Sequence, residues 1–288
     1  MNEDQTTKSE EYLSEDDDLR SEFIRNLIQN QSSIEKFDNH FSIPKVIIQY
    51  WHDLDNLPDD VNDCLTSWEP NLGRGFKRKL FDDSRAIEFI KSEFGEPYVT
   101  AYKCCHHPAM RSDYFRLCYM LLNGGMYVDA DEFYLDQCLD FLFQNNLLKL
   151  QPLSYDVSSN SMIDPKVFMQ KENKSRNWIF YVNNNPLVGP PNHPLIDSAL
   201  KRATNTLLTN LDNGTTCSDI QSTTGPGNLS ACLVKHSITI KSASNEIDFQ
   251  FIKNWDSISQ SKWPLSYRND ERNWRLWNPS DSKVDFFK

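Results

Sequence analysis

Residues 108–135 read PAMRSDYFRLCYMLLNGGMYVDADEFYL, an unbroken apolar run followed by two glycines and an alternating segment. The run from Pro108 to Leu122 begins with a proline, which suits the first turn of a helix, and stops at Asn123-Gly124-Gly125. It predicts one helix of about four turns. The alternation in MYVDADEFYL predicts a strand directly after the glycines.

Two carboxylates mark the end of the predicted strand. Tyr127, Asp129 and Asp131 occupy alternate positions, so a strand would place them on one face. Mg²⁺ and Mn²⁺ are bound in proteins by one or two carboxylates together with substrate phosphates. An Asp-x-Asp triplet alone is a weak signal in an acidic chain, but its position after a helix, two glycines and a strand favours a cation site.

The predicted helix carries a polar pair among apolar residues. Asp113 and Arg116 are three positions apart and therefore share a face. An exposed pair of this kind would contribute less than about 1 kcal/mol to stability. Because Tyr114, Phe115 and Leu117 surround the pair, a partly buried carboxylate and guanidinium that hold sugar hydroxyls and phosphate oxygens are the alternative.

The preceding residues alternate between strands and helices. IPKVIIQYW (43–51) contains a continuous apolar run that is typical of a strand buried on both faces, and GFKRKLFDD (75–83) predicts a second strand. Residues 84–94 have helical periodicity, and Gly95 marks the end of the predicted helix. This order predicts an α/β fold with a mostly parallel sheet.

The signals after residue 150 are weaker. WIFYVNN (178–184) predicts a strand, and residues 194–208 predict a helix. We expect residues 1–40 to be an acidic extension with a short helix at 21–37, and residues 41–288 to be a single domain. The end of this domain is rich in tryptophan, with Trp255, Trp263, Trp274 and Trp277.

Composition narrows the class of protein. The net charge is −11, eight acidic side chains lie in residues 1–20, and no basic patch stands out, so we expect no nucleic-acid partner. No run approaches the roughly 18 apolar residues of a membrane span, so we expect no transmembrane segment. Seven cysteines without a CxxC spacing suit reduced thiols, which favours a cytoplasmic protein.

Cys104-Cys105-His106-His107 raises the question of zinc. Four adjacent residues cannot easily surround one tetrahedral ion, and structural zinc sites usually separate their ligands in pairs. We therefore expect a loop that leads into the helix at Pro108.

The block AMRSDYFRLCYMLLNGGMYVDAD, with IPKVIIQYW and KLFDD before it, resembles glycosyltransferase family 32. It is also similar to the glucosyltransferase domains of large clostridial toxins. The resemblance covers residues 43–135 well and is patchy afterwards. It implies a GT-A (Rossmann-like) fold with a mixed, mostly parallel sheet. The implied activity is a retaining transfer of hexose from a UDP- or GDP-sugar to a glycan or protein acceptor, with Mn²⁺ or Mg²⁺.

The resemblance also implies roles for individual residues. Asp131 would be a direct metal ligand, and Asp129 would contact the donor and reach the metal. Asp113 and Arg116 would hold the transferred sugar and the diphosphate. The nucleotide-sugar site would also include Gln49, Tyr127, and Trp51, which would stack on the base.

Two departures from the family affect this assignment. Ile48 stands where many members have a histidine, and a Gly-Ser-Trp motif near the C-terminus is not clear. In YRNDERNWRLW, the resemblance would make Asn273 a substitute metal ligand and Trp274 a substitute donor contact. Asn184 or Asn185 is a candidate contact near the anomeric carbon, so Asn184 joins Asp113 and Arg116 as a candidate catalytic residue.

Two other functions use the same residues. One is a catalytically silent nucleotide-sugar-binding protein, against which the intact Asp113, Arg116, Asp129 and Asp131 argue. The other is a metal-dependent phosphohydrolase, which would usually require more carboxylate or histidine ligands.

Overall fold

The strands form one sheet of seven and a separate pair. The computed structural model describes residues 13–31, 43–217, 219–262 and 264–277. The large sheet contains β1 Val46–Tyr50, β2 Lys77–Phe81, β3 Gly125–Tyr127, β5 Leu148–Asp156, β6 Ser161–Met162, β7 Trp178–Gly189 and β8 Phe249–Phe251. The pair consists of β4 Glu132–Tyr134 and β9 Ser259–Ser261.

The large sheet is mixed and mostly parallel. Its order is β2-β1-β3-β7-β5-β6, and β8 pairs with β5. β1 is parallel to β2 and β3, β5 is parallel to β8, and β7 is antiparallel to both β3 and β5. Only β6 and β7 therefore run against the other five strands of this sheet. The predicted α/β fold with a mixed, mostly parallel sheet is confirmed.

The helices contribute most of the buried side chains of the main core. Their bounds are α1 Asp17–Asn30, α2 Asp59–Ser67, α3 Asp83–Phe94, α4 Glu96–Lys103, α5 Pro108–Asn123, α6 Pro165–Phe168, α7 Pro194–Asp212, α8 Ile220–Thr223 and α9 Pro226–Ser242. Short 3₁₀ helices lie at Glu69–Arg74, Asp140–Phe143, Trp255–Ser257 and Ser266–Asn269. The helices predicted at 84–94, 108–122 and 194–208 are all present, with shifts of a few residues at their ends.

The predicted N-terminal helix begins earlier than its periodicity indicated. α1 begins at Asp17 because the Asp16 side chain accepts a hydrogen bond from the Leu19 amide and caps the helix. Ile24 and Ile28 are fully buried in the main core. Residues 32–37 of the prediction lie outside the described residues, as does Trp263. The boundary between an extension at 1–40 and a domain at 41–288 stays a prediction.

α5 lies in the core between the sheet and the other helices. Its side chains are buried from Met110 to Met120 with the exception of Ser112, which is partly exposed. Phe115 packs against Phe81 at 4.6 Å between ring centroids, and the Tyr114 hydroxyl lies 2.7 Å from Thr204 Oγ1 on α7. A helix held on all sides can keep polar side chains in fixed positions.

Composition predicts reduced thiols and no transmembrane segment. All seven cysteines are free thiols, as expected. Among the residues that the structure describes, no helix combines the length and the apolar character that crossing a membrane requires.

Gly124 and Gly125 make the tight connection from α5 to β3. Both have positive φ, +61° and +109°. A Cβ on Gly124 would lie 2.7 Å from Gly189 O, and one on Gly125 would lie 2.9 Å from Val46 O. Neither position can accept a side chain, because the obstructing atoms belong to backbone.

We expect Gly124→Ala to lower the free energy of unfolding by about 3 kcal/mol or more, through backbone strain and the clash with Gly189. Urea unfolding measures the change. Gly73→Ala is the control, since a Cβ at Gly73 would meet no other atom within 4 Å and φ is ordinary there. Equal stabilities of the two variants would contradict this account of the turn.

Candidate functional site

A pocket of about 440 Å³ opens where β1 and β3 end. Its volume lies in the range of small-molecule sites. Ligands of α/β sheets bind at this end of the strands. Most of the predicted site residues line it: Trp51, Asp113, Arg116, Asp129, Asp131, Asn184, Asn273 and Trp274.

Arg116, on α5, contacts the turn after β3 and also contacts β7. Its Nη2 lies 2.8 Å from Asp129 Oδ1 and 2.9 Å from Asp113 Oδ1, and its Nη1 donates to the Asn184 carbonyl at 2.8 Å. The side chain is only 3% exposed. Burial alone would lower the pKa of Arg116, but Asp129 and its neighbours raise it, so this group stays charged.

Both carboxylate oxygens of Asp113 accept hydrogen bonds. Oδ1 accepts from Asn184 Nδ2 at 2.8 Å and Oδ2 from Thr224 Oγ1 at 3.4 Å. Burial raises the pKa of Asp113, while Arg116 opposes that shift. Asp113, Arg116 and Asn184 therefore form one hydrogen-bonded unit in the structure, and their catalytic roles stay predictions.

A break in strand pairing turns three asparagines of β7 toward the pocket. β5 pairs Leu150 with Leu187 and Pro152 with Val182, so residues 183–186 face only one residue of β5. Such bulges redirect side chains beside functional sites. Asn183 donates to Gln151 at 3.0 Å, Asn184 to Asp113, and Asn185 to Glu132 Oε1 at 3.1 Å.

The strand predicted after Gly125 does not continue through Asp131. β3 stops at Tyr127, Ala130 and Asp131 form a turn, and the chain then enters the separate strand β4. Asp129 N donates to the Asn185 side chain at 2.9 Å instead of to a neighbouring strand. The bulge in β7 leaves no regular backbone partner, so alternation no longer determines which way the side chains point.

Asp129 lies at the mouth of the pocket. Its side chain is 31% exposed and bonds to Arg116. Burial raises the pKa of this carboxyl well above its usual value, Arg116 opposes the shift, and the nearby Asp131 adds to it. The group is thus incompletely balanced by the positive charges around it.

Asp131 is held by the C-terminal segment. Its Oδ2 accepts from the Tyr267 hydroxyl at 2.7 Å and from Arg268 Nη2. The side chains of Arg268 and Asp131 are 8% and 17% exposed. The sequence did not identify Tyr267 or Arg268 as site residues, because no local pattern links them to a position more than a hundred residues away.

Glu132 is a further acid that the sequence did not reveal. Its carboxylate accepts from Asn185 Nδ2 and from Ser259 Oγ, and the residue is buried. Burial raises the pKa of Glu132 to about 8. Its position directly after the Asp-x-Asp triplet was the available signal, but the predicted alternation would have put it on the other face.

Trp51 follows β1 and forms part of the pocket wall. It is 8% exposed, and its ring meets Tyr267 edge to face at 5.2 Å between centroids. Within the described residues its buried indole N–H has no hydrogen-bond partner. The residue therefore offers both an aromatic surface and a free donor near the pocket.

Gln49 and Tyr127 are fully buried. Gln49 Oε1 accepts from Arg78 Nε at 2.9 Å. The Tyr127 ring lies 4.4 Å below the Arg116 guanidinium, and its hydroxyl lies 2.6 Å from Ser112 Oγ. Neither is among the residues that line the cavity, so their predicted contacts with a donor stay predictions.

Asn273 and Trp274 approach the pocket from the C-terminal side. Asn273 Nδ2 donates to the Arg268 carbonyl at 2.8 Å, and its Oδ1 accepts from the Arg275 amide at 3.2 Å. The guanidinium of Arg275 lies 4.4 Å from the Trp274 ring centroid. Both polar atoms of Asn273 are thus engaged by its own segment.

Oxygen donors of the kind that hard cations prefer meet at this pocket. Asp129 and Asp131 both line it, and each still has an oxygen beyond its contact with an arginine. Two carboxylates with space for phosphate oxygens suit Mg²⁺ or Mn²⁺. The chemistry of these residues therefore fits the expected cation.

His193, His236 and Asp248 form another cluster of potential metal ligands among the described residues. His236 Nε2 lies 2.8 Å from Asp248 Oδ1. However, His193 Nδ1 accepts from the Leu195 amide, so its Nε2 carries the hydrogen and points toward Asp248. His193 Nε2 donates to the Asp248 backbone carbonyl at 3.2 Å, and His236 Nε2 bonds to the Asp248 carboxylate, so the cluster is a hydrogen-bonded group that does not favour a metal.

Cys104-Cys105-His106-His107 leads into α5, as predicted. His107 caps the helix, with Nδ1 accepting from the Ala109 amide at 3.0 Å. Its Nε2 therefore carries the hydrogen and donates to the Glu271 carbonyl at 2.9 Å. This ring ties the C-terminal segment to the beginning of the site helix.

The fold and the pocket define an α/β protein with an Asp-x-Asp turn at the binding edge of its sheet. Residues 44–151 match the model of a family described as "Glycosyltransferase sugar-binding region containing DXD motif". The matched part contains the candidate residues from Gln49 to Asp131. The relation to DXD-containing glycosyltransferases is confirmed for this part of the chain.

Two individual proteins are similar to the chain. Uncharacterized glycosyltransferase L373 of Acanthamoeba polyphaga mimivirus is 28% identical over 94 residues, which are 31% of this chain and 36% of that protein. The chain thus spans about a third of that relative's length. The solved structure of the PaToxG glycosyltransferase is 14% identical with a TM-score of 0.47, over 89% of this chain and 92% of that one.

We expect His107 to make stability depend on pH. Burial lowers the pKa of His107 to about 4, below the ordinary value of 6.5. Between these values the folded state binds fewer protons than the unfolded state, so stability falls as pH decreases from 6.5 to 4. The change reaches at most about 1.4 kcal/mol per pH unit.

His107→Asn should keep the cap and remove this contribution. Urea unfolding between pH 5 and 7 measures the slope. Burial also lowers the pKa of the less buried His106 ring, so His106→Asn is the comparison and should reduce the slope by less than His107→Asn. If His107→Asn retains the slope of the unsubstituted protein, the assigned role of the ring is wrong.

Proposed function

We propose that the protein is a glycosyltransferase that moves a hexose from a UDP- or GDP-sugar to a glycan or protein acceptor. The observation that carries this proposal is the convergence of Asp113, Arg116, Asp129 and Asp131 on one pocket. They converge in the part of the chain that is related to DXD-containing glycosyltransferases.

Asp129 and Asp131 would hold Mn²⁺ or Mg²⁺ together with the donor's diphosphate. When bound, the cation would neutralise charge that develops on the leaving diphosphate. Asn273 would join these ligands only by leaving its contacts with Arg268 and Arg275. We therefore assign the ligand set to the two aspartates, substrate oxygens and water.

Arg116 and Asp113 would hold the two halves of the donor. Arg116 is a permanently charged fork that suits phosphate oxygens, and Asp113 can accept hydrogen bonds from sugar hydroxyls. Both oxygens of Asp113 are already engaged by neighbouring side chains, which argues against a role as nucleophile. This supports retention without a covalent sugar-enzyme intermediate, with Asn184 as a polar contact near the anomeric carbon.

The nucleotide base would stack on Trp51, which lines the pocket beyond the end of β1. Base-aromatic stacking contributes about 1–3 kcal/mol. Tyr127 and Gln49 would support this half of the site from below, Tyr127 through the Arg116 guanidinium and Gln49 through β1.

Asp131→Asn tests the reaction. The protein is incubated with UDP- and GDP-hexoses and Mn²⁺, with and without chelator, and release of UDP or GDP is followed. We expect one donor to be cleaved in a chelator-sensitive manner, and the variant to lose about 100-fold or more of that rate. Asp63→Asn, an exposed change on α2, is the matched control and should keep the rate.

Other outcomes of this assay identify the alternatives. Saturable donor binding without turnover would indicate a nucleotide-sugar-binding protein. Release of inorganic phosphate from simple phosphate esters would indicate a hydrolase. Full activity of Asp131→Asn would contradict the proposed cation site.

We expect Trp51→Ala to weaken binding of the free nucleotide by about 5- to 150-fold, which corresponds to the loss of one stacked base. Trp51→Phe should lose less, because it keeps an aromatic face. Calorimetric titration with UDP and GDP in the presence of Mn²⁺ measures both variants. Equal affinities for the Ala variant and the unsubstituted protein would place the base elsewhere.

A further inference from the structure

The C-terminal segment, residues 264–277, supplies three arginines to the pocket. Their surroundings differ. Arg272 pairs with Asp270 at 2.7 Å, and Arg275 lies over the Trp274 ring. Arg268 instead reaches across the pocket to an aspartate of the Asp-x-Asp turn.

Arg268 and a cation would share the Asp131 carboxylate. Arg268 Nη2 contacts Asp131 Oδ2, which also accepts from the Tyr267 hydroxyl. A guanidinium and a divalent cation within a few ångströms of one carboxylate repel each other, and this repulsion is strong where the charges are largely buried. Arg268 is therefore the counter-ion of Asp131 in this structure.

We propose that Arg268 competes with the divalent cation for Asp131 and binds the donor's diphosphate when the cation holds that carboxylate. This inference rests on the proposed function. A guanidinium suits a phosphate as well as a carboxylate, because both offer paired oxygens to its fork of N–H groups. The exchange keeps a positive charge opposite a negative one in both states.

The backbone that carries Arg268 is fixed, so the exchange needs only a side-chain movement. Asp60 Oδ1 accepts from the Ser266 hydroxyl at 2.9 Å, before Arg268. Asn273 Nδ2 donates to the Arg268 carbonyl at 2.8 Å. The 3₁₀ helix Ser266–Asn269 is thus bonded to α2 at its start and to Asn273 of its own segment at Arg268, and the guanidinium would change partner without breaking these contacts. In this arrangement Asn273 is a positioning residue for Arg268.

The competition is tested with Mn²⁺ alone. Free Mn²⁺ is measured by electron paramagnetic resonance during titration of the full chain without nucleotide. We expect Arg268→Gln to bind Mn²⁺ about tenfold more tightly than the unsubstituted protein. Arg176→Gln, at an exposed arginine outside the pocket, should leave the affinity unchanged. Unchanged or weaker binding by Arg268→Gln would overturn the proposed competition.

The contact with diphosphate is tested with UDP and GDP at saturating Mn²⁺. Calorimetry should show about 10- to 100-fold weaker binding for Arg268→Gln and partial recovery for Arg268→Lys, which keeps a single charge without the fork. Near-ultraviolet circular dichroism of each variant checks that the pocket remains folded. Equal nucleotide affinity for Arg268→Gln would remove the diphosphate contact from the proposal.

The two proposals fail in different ways. If the unsubstituted protein binds Mn²⁺ but neither nucleotide, the proposed function and the diphosphate contact are wrong. The competition is then decided by the Mn²⁺ titration alone. If the unsubstituted protein binds and cleaves a donor but Arg268→Gln matches it in both titrations, only the role of Arg268 is wrong.

Discussion

The buried guanidinium of Arg116 is the interaction on which the rest of the site depends. A charged group at 3% exposure is stable only with close partners of opposite charge. Asp113 and Asp129 provide them, and the Asn184 carbonyl takes a further hydrogen. These contacts join α5, the turn after β3, and β7, so the same charge fixes three elements and brings the candidate site residues together.

The sheet is irregular where the site lies. Regular pairing of β5 and β7 would have used the backbone at residues 183–186 and turned alternate side chains away from the pocket. Where the backbone hydrogen bonds between β5 and β7 are interrupted, asparagine side chains form hydrogen bonds instead. Asn185 accepts from the Asp129 amide and donates to Glu132, and so replaces a missing strand partner. A local loss of sheet bonds is thus the structural basis for a cluster of acidic groups.

Local patterns predicted the framework of the site and its central residues, but not the contributions of the C-terminal segment. The breaker-free run and the two glycines define α5 and its end, because helix length and positive φ depend on neighbouring residues. The alternation after Gly125 predicts too long a strand, because a sequence shows a period but does not show where a strand loses its partner. Tyr267 and Arg268 meet Asp131 only through the tertiary fold, and no periodicity relates positions this far apart. The predicted substitute, Asn273, instead bonds to the backbone at Arg268 and Arg275.

The charges of the pocket would favour the ligands of the proposed function. Burial raises the pKa values of Asp113, Asp129 and Glu132, so ionising all three together is unfavourable in the protein alone. On the proposed function, a bound cation would relieve this repulsion, and a diphosphate would then pair with the arginines released from the carboxylates. Any ligand that binds the folded state in this way also stabilises it. On the proposed function, affinity for the donor and stability of the site would therefore both follow from the same incomplete charge balance around Arg116.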